Sequence, residues 1–168
     1  MVTELGYQDF GLNGLITSHQ VGIWRLSDQV LIGSAVVPGG TSGTLDGHFR
    51  YASLASPTTL ASGVTYVISG FDNGQDPHVW DEEIGGYPNG DVSGFSVNPA
   101  ITINGAHGPW QSSFGFPSSY SIIGDARNVL MGPNFKFNPV PAPGAIALLG
   151  LGAGLVGWIR RRRATNKG

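Results

Sequence analysis

The chain has 168 residues, including 27 glycines, 11 prolines and no cysteine, and its formal net charge is −2. The lack of cysteine excludes disulfide bonds, a thiol nucleophile and zinc sites with cysteine ligands. All eleven acidic residues precede Val140, against four basic residues there, so this part carries −7 and offers no basic patch for nucleic acid.

The body of the chain predicts an all-β fold, because glycines are spread widely and no window shows apolar residues at helical spacing. The predicted strands are 2–9, 18–26, 30–37, 48–54, 64–71 and 130–137, with shorter candidates at 100–103 and 119–124. Ser27-Asp28-Gln29 predicts a tight turn that joins the second and third strands as a hairpin. We therefore expect one two-sheet antiparallel sandwich over residues 1–137.

Alternation along two strands predicts which side chains lie in the core. Val21 and Ile23 alternate with polar neighbours, whereas Trp24 lies on the opposite face. In the strongest strand signal of the chain, Tyr66 and Ile68 share one face. We expect both Trp24 and Tyr66 to be core residues, because large aromatic side chains on strands are usually buried.

The segments Val21-Gly22-Ile23-Trp24, 31–35 and 60–69 together resemble an uncharacterised β-sandwich domain of secreted bacterial proteins. The resemblance covers about residues 1–137. It implies a jelly-roll-like fold and an extracellular setting, and it transfers no catalytic residue. Such domains usually have one more strand ahead of Val2, and residues 1–6 lack the basic and apolar regions of an export signal. We therefore expect a leader and a first strand to precede this sequence.

No enzyme motif stands out in the sequence, and we predict no catalytic residue. The four histidines, His19, His48, His78 and His107, are each separated by about thirty residues and none has a partner at metal-ligand spacing. A G-x-S-x-G nucleophile elbow is also absent. The histidines are therefore interpreted as ordinary loop or strand residues, and no metal site is assigned.

Residues 72–94 form a long acidic excursion, which is the best candidate for ligand binding. Its carboxylates are the kind of ligand that Ca²⁺ takes, although their spacing does not fit an EF-hand. Paired carboxylates could also serve glycosidic acid–base chemistry, and a solvated loop remains the simpler interpretation. Aromatic residues in this excursion and in the later segment with Phe114 and Phe116 could stack on sugars or lie in the core. The candidate ligand residues are Trp80, Trp110, Asp72, Asp76, Asp81 and Glu83, with Ca²⁺ as the one candidate cofactor.

The last thirty residues have three parts in a fixed order. Val140-Pro141-Ala142-Pro143 breaks the chain, residues 144–159 carry no charge, and Arg160, Arg161, Arg162 and Arg163 follow at once. The pattern predicts a hydrophobic membrane helix whose C-terminal end is held in the cytoplasm. The fifteen residues 145–159 span only about 22 Å as a helix, against a bilayer core of about 30 Å. We therefore expect a transient anchor.

These three parts resemble the PEP-CTERM sorting signal of Gram-negative bacteria, in a Pro-Ala-Pro variant because Ala142 stands where the family usually has Glu. The resemblance makes 138–168 a sorting segment and implies processing by an exosortase-type membrane protease. The protein would then lie transiently in the inner membrane before it reaches the cell envelope, the cell surface or the extracellular matrix. We expect a structural or adhesive role without catalysis. The alternative is a carbohydrate- or calcium-dependent binding module, with extracellular polysaccharide as a further partner.

Overall fold

The computed structural model describes residues 1–71, 74–76, 98–102, 113–117 and 132–139. These residues form two antiparallel sheets and none of them lies in a helix, so the predicted all-β, two-sheet class is confirmed for this part of the chain. The predicted C-terminal helix and the predicted strand at 119–124 lie outside the described residues. The chain divides into two units, Met1–Asn138 and Pro139–Gly168, and every described strand belongs to the first.

The two sheets face each other in a sandwich-like arrangement. In chain order the described strands are β1 (Val2–Gln8), β2 (His19–Arg25), β3 (Leu31–Val37), β4 (Thr44–Asp46), β5 (Phe49–Thr58), β6 (Tyr66–Gly70) and β7 (Pro133–Phe137). One sheet has four strands in the order β4-β5-β1-β7, and the other has three in the order β3-β2-β6. Across the sandwich, β5 packs over β3, β1 over β2 and β7 over β6.

The predicted hairpin of β2 and β3 is confirmed. The backbone N–H of Arg25 donates to the Val30 carbonyl at 2.9 Å, and Gln29 takes a left-handed conformation with φ 58° to close the turn. The register then shifts by one residue at Ile23/Trp24. Beside this shift the Ile32 carbonyl accepts a hydrogen bond from the Thr58 hydroxyl at 2.9 Å, which ties β3 to the end of β5.

Two stretches differ from the sequence prediction. β5 continues to Thr58, four residues beyond the predicted end, because Thr58 pairs with Val2 on β1 and this pairing outweighs the local turn signal. The predicted strand at 100–103 is wrong for its described part. There the side-chain Oδ1 of Asn98 accepts a hydrogen bond from the Ala100 N–H at 3.0 Å, and the backbone carbonyl of Asn98 accepts one from the Ile101 N–H at 2.8 Å. These two bonds make a turn.

The inward-facing side chains of both sheets form one apolar core. Among the described residues this core comprises Val2, Leu5, Tyr7, Leu15, Val21, Ile23, Val37 and Leu54. Val21 and Ile23 face it as the alternation predicts, and Tyr66 packs against its margin. Each fully buried aliphatic side chain contributes about 1.5–3 kcal/mol relative to an exposed one, so this cluster stabilises the described fold strongly.

Trp24 is buried, but it lies on the other face of β2, away from the core between the sheets. It is only 3% exposed because Phe114 and Phe116 cover it, with ring centroids 5.1 and 6.4 Å away. Gly22 lies beneath this cluster, since a Cβ at that position would be 2.6 Å from Trp24 Cη2 and 2.8 Å from Phe114 Cζ. Phe114 and Phe116 therefore pack on the protein itself, as the core interpretation expected.

Candidate functional site

The loop between β1 and β2, residues 9–18, crosses from one sheet to the other at one end of the sandwich. Its middle is fixed by Leu15, which is buried and pairs with Gly40 through two backbone hydrogen bonds of 3.1 and 2.6 Å. On either side of Leu15 the loop backbone donates hydrogen bonds to two buried carboxylates, those of Asp9 and Asp76. We call the two carboxylates and their partners the loop-anchoring site. It comprises Asp9 with Gly14 and Arg50, and Asp76 with Ile16, Thr17 and His19.

Asp9 forms a buried ion pair with Arg50 beneath the first half of the loop. Arg50 Nε donates to Asp9 Oδ2 at 2.7 Å, and the two side chains are almost completely buried. The same carboxylate oxygen accepts from the Gly14 N–H at 2.9 Å. Arg50 Nη1 also donates to the carbonyls of Thr41 and Gly43, at 3.2 and 3.1 Å. The planar guanidinium thus joins three chain segments at one point.

Asp76 forms the second buried pair, with His19 at the start of β2. His19 Nε2 lies 2.7 Å from Asp76 Oδ2, and the histidine side chain is 0% exposed. The other carboxylate oxygen accepts from the Ile16 N–H at 2.7 Å, and Oδ2 also accepts from the Thr17 N–H at 3.1 Å. Asp76 therefore ties the chain that follows β6 to the second half of the loop.

The hydrogen bonds favour the charged form of Asp76. His19 Nδ1 lies 3.0 Å from the Phe71 carbonyl, which can only accept, so Nδ1 carries a hydrogen. Burial alone would raise the pKa of Asp76, but the hydrogen bonds from Ile16, His19 and Thr17 outweigh burial and hold this pKa below its ordinary 3.8. Asp76 is therefore a carboxylate, which accepts hydrogen bonds from the Ile16 and Thr17 N–H groups and lies within hydrogen-bond distance of His19 Nε2.

The His19 ring is enclosed by β1. Tyr7 stacks on it with ring centroids 3.8 Å apart and planes 4° from parallel. Two glycines make room for Tyr7, since a Cβ at Gly70 would lie 2.9 Å from its ring and a Cβ at Gly132 would lie 3.4 Å from it. The imidazole is therefore held on one face by an aromatic ring and at both nitrogens by hydrogen bonds.

This geometry is suited to holding a loop in place, and it is not suited to reacting with a substrate. A general base must reach the proton that it removes, whereas His19 is fully buried and both of its nitrogens are occupied. Within the described ranges, no group of three or more histidine or acidic side chains is placed to hold a metal ion. The loop-anchoring site has a structural role in the described fold.

The loop that it holds presents apolar side chains to solvent. Phe10, Leu12 and Ile16 are all exposed, and Ile16 reaches 66%. Leu12 takes a left-handed backbone conformation with φ 56°, which costs free energy for a residue with a side chain. Its N–H donates to the Asp9 carbonyl at 3.1 Å, so this turn is stabilised by the residue that also pairs with Arg50.

A second charged cluster lies on the outer face of the four-stranded sheet. Lys136 Nζ is 2.7 Å from Asp46 Oδ2 and 3.5 Å from Glu4 Oε2, and it lies 4.3 Å from the centroid of the Tyr51 ring. The hydrogen bond with Asp46 raises the pKa of Lys136. Burial, with Asp46 and Glu4 nearby, raises the pKa of Tyr51 to about 12. The lysine is thus held as a cation across the sheet.

Most of the residues that the sequence singled out lie outside the described ranges. This holds for five of the six candidate ligand residues: Asp72, Trp80, Asp81, Glu83 and Trp110. It also holds for the sorting motif 140–143 and for Arg160–Arg163. Asp76 is the candidate that the structure describes, and both of its carboxylate oxygens accept hydrogen bonds from the protein. Among the described residues no helix is long and apolar enough to cross a membrane.

The fold and the site define a class, an all-β domain of two antiparallel sheets whose described ion pairs are structural. The sequence matches no family model, and it has no significant match among curated proteins or solved structures.

Sequence reasoning missed the loop-anchoring site because its partners are far apart in the chain. One signal was present. His19 shares the inward face of β2 with Val21 and Ile23, so alternation places a histidine in the core, and a buried histidine needs a hydrogen-bond partner. The identity of that partner, Asp76, follows only from the fold.

Proposed function

We propose that this is an exported bacterial protein, delivered by a PEP-CTERM-like signal to the cell surface or the extracellular matrix, with a structural or adhesive role and no catalysis. The observation that carries the proposal is the order of its last thirty residues, with Pro141-Ala142-Pro143, then an uncharged run, then Arg160–Arg163. An exosortase-type protease in the inner membrane is the proposed processing enzyme. In this chain, the uncharged run 144–159 is the proposed membrane helix, and it is present until processing.

Two further features support a role outside the cytoplasm. The domain before Val140 is strongly acidic while the tail holds five basic residues and no acidic one, which favours a cytoplasmic location for the tail alone. The described histidine and arginine pairs are committed to the fold, in keeping with a stable, non-catalytic scaffold. We also propose a jelly-roll-like connectivity for the complete domain.

The runner-up is a carbohydrate- or calcium-dependent binding module. One observation favours it: Asp76 fixes the start of the acidic excursion to the sandwich, four residues before Trp80. A ligand-binding loop gains affinity when its base is held in place, because less ordering is needed on binding. Binding to a polysaccharide array that is lost on Trp80→Ala or Trp110→Ala would favour this module over a purely structural protein.

The sorting proposal is tested in a Gram-negative host that has an exosortase-type protease and in the same host without it. The full-length gene is expressed with Pro141 and Pro143 both changed to alanine, and Pro139→Ala serves as the matched control because this proline lies just outside the motif. We expect the double variant to accumulate as an unprocessed precursor in the inner membrane, and the control to be released. Equal release of all forms in both hosts would contradict the proposal.

A further inference from the structure

The chain leaves the sandwich at one end, where strands of both sheets begin or end. β7 ends there at Phe137, which pairs with Val2 at the start of β1. β5 ends beside them, since Thr58 also pairs with Val2. The Asn138 N–H then donates to the Met1 carbonyl at 2.8 Å, so the first and last residues of the described domain meet at this end.

Two loops of the three-stranded sheet, 26–30 and 59–65, lie at the same end. The first precedes β3, whose start is tied to the end of β5 by the hydrogen bond from Thr58 described above. The second leads into β6, and the Leu26 N–H joins the two loops by donating to the Thr65 carbonyl at 3.0 Å. We call these loops and the strand ends around them the exit end.

The exit end presents apolar side chains and a balanced charge. Four large apolar side chains there are between 40% and 47% exposed, those of Met1, Val30, Leu31 and Val64. Asp28 is the one charged side chain of the two loops, and Arg25 at the end of β2 neutralises it, with Nη2 2.6 Å from Oδ2. An apolar surface with no net charge in its loops is suited to contact with another apolar or weakly polar surface.

The opposite end of the sandwich also exposes apolar side chains, among them Leu12 and Ile16, but it differs in charge. The excursion 72–94 starts there, because Asp76 contacts the loop 9–18. This excursion carries six of the eleven acidic residues of the chain: Asp72, Asp76, Asp81, Glu82, Glu83 and Asp91. A bilayer that contains anionic lipids repels acidic groups, so the exit end is the better suited of the two to approach it.

The tail limits how far the exit end lies from the membrane if residues 144–159 are the membrane helix of the proposed function. Six residue steps lead from Asn138 to Gly144, and a fully extended chain covers at most about 20–22 Å in six steps. The seven residues of β1 place the opposite end about 23 Å farther from Asn138. The exit end is therefore the part of the domain that the tail keeps close to the bilayer.

We propose that the exit end docks on the lipid surface of the membrane that holds the tail, with Val30, Leu31 and Val64 at the level of the headgroups. This inference rests on the proposed membrane helix. Docking removes the exposed parts of these side chains from water, and the loops bring no net charge against the headgroups. The area is small, so the contact depends on the high local concentration that the tail provides. Removal of the tail by processing therefore releases the domain from the surface.

The test uses the lack of cysteine, which allows an environment-sensitive fluorophore to be attached to one introduced cysteine at a time. The full-length chain is labelled as Val64→Cys at the exit end, Ile16→Cys at the opposite end or Leu151→Cys in the tail. Each form is reconstituted into vesicles of phosphatidylethanolamine and phosphatidylglycerol, with and without nitroxide-bearing lipids that quench the fluorophore on contact. We expect a blue shift and quenching for Val64→Cys and Leu151→Cys, and neither effect for Ile16→Cys.

A second substitution tests whether the apolar side chains cause the docking. Val30→Asp, added to the labelled Val64→Cys chain, places a charge in the contact and should abolish the quenching. Leu12→Asp is the matched control, because it makes the same kind of change in an exposed apolar residue at the opposite end, and it should leave the quenching unchanged. Circular dichroism establishes that each variant is folded, and Val30 and Leu12 are exposed enough for aspartate to be tolerated.

Four outcomes would overturn the inference. If the label of Leu151→Cys is quenched while that of Val64→Cys is not, docking is excluded and the membrane helix of the proposed function stands. If the label of Leu151→Cys is not quenched, both proposals fail. A blue shift of Val64→Cys without quenching by lipid means that protein, such as a second copy of the chain, covers the exit end. Quenching that survives Val30→Asp means that the apolar side chains do not hold the domain on the surface.

Discussion

The Nε2 atom of His19 lies 2.7 Å from Oδ2 of Asp76, although 57 residues separate the two in the sequence. The carboxylate also receives the N–H groups of Ile16 and Thr17. A single side chain therefore joins the loop between the sheets to the chain that follows β6. Since Asp76 and His19 are both buried, removal of Asp76 would leave His19 and the Ile16 and Thr17 N–H groups without their acceptor, and removal of His19 would leave the Asp76 carboxylate without one of its partners.

We expect Asp76→Ala to destabilise the domain by about 3–5 kcal/mol, because it breaks a buried ion pair and leaves His19, Ile16 and Thr17 without their acceptor. Urea unfolding followed by circular dichroism measures the change. Asp28→Ala is the matched control, because it breaks the solvent-exposed pair with Arg25 and should leave the unfolding midpoint close to that of the wild type. Equal effects of the two changes would argue against an anchoring role for Asp76.

The pH dependence of stability should also depend on Asp76. Its pKa is lower in the folded state than the ordinary 3.8, so the folded state binds fewer protons than the unfolded state in this range. Its contribution is therefore fully present above the unfolded pKa and is lost as pH falls through the folded pKa. We expect the difference in free energy of unfolding between the wild type and Asp76→Asn to shrink as the pH falls below about 4. A difference that stays constant down to pH 2 would contradict this.

Arg50 should be sensitive to the shape of its side chain as well as to its charge. Arg50→Met leaves the buried Asp9 carboxylate without its cation and should cost about 3–5 kcal/mol in the free energy of unfolding. Arg50→Lys keeps the charge but cannot reproduce the bonds to Asp9, Thr41 and Gly43 together. Its free energy of unfolding should therefore lie between those of Arg50→Met and the wild type. If lysine matches arginine in urea unfolding, the planar guanidinium is not what joins these segments.

Gly6 should tolerate no side chain, because the Tyr51 ring lies across it. A Cβ at Gly6 would be 2.6 Å from Tyr51 Cε1 and 3.1 Å from the Arg50 carbonyl. Gly6→Ala should therefore destabilise the domain by about 1–3 kcal/mol. At Gly33 the nearest atom would be 3.4 Å away, so Gly33→Ala should be neutral or slightly stabilising. Thermal unfolding compares the two, and the reverse order would contradict the observed packing.

The strands and the core could largely be predicted because they depend on local alternation. Val21 and Ile23 alternate with polar neighbours, and the residues of the β2–β3 turn signal its hairpin directly. β4 was not predicted, because its three residues are all exposed and show no alternation. The extension of β5 to Thr58 depends on its pairing with Val2 on a different strand, which no local signal encodes.

The loop-anchoring site could not be predicted for the same reason. Asp9 and Arg50 are 41 residues apart, and the sequence around either residue does not indicate its partner. Asp76 was singled out as one of several carboxylates suited to Ca²⁺, and in the fold it accepts hydrogen bonds from the protein itself. Residue type predicted a polar site at this position, whereas the partner could come only from the arrangement of the sheets.

The C-terminal peptide of the mature protein decides whether the last thirty residues act as a sorting signal. The full-length gene is expressed in its bacterial setting, the cells are fractionated, and the C-terminus is identified by mass spectrometry. We expect a C-terminus close to Pro141–Pro143 on protein recovered from the envelope or the medium. An intact chain that ends at Gly168 and stays in the inner membrane would contradict it, and the tail would then be a plain anchor.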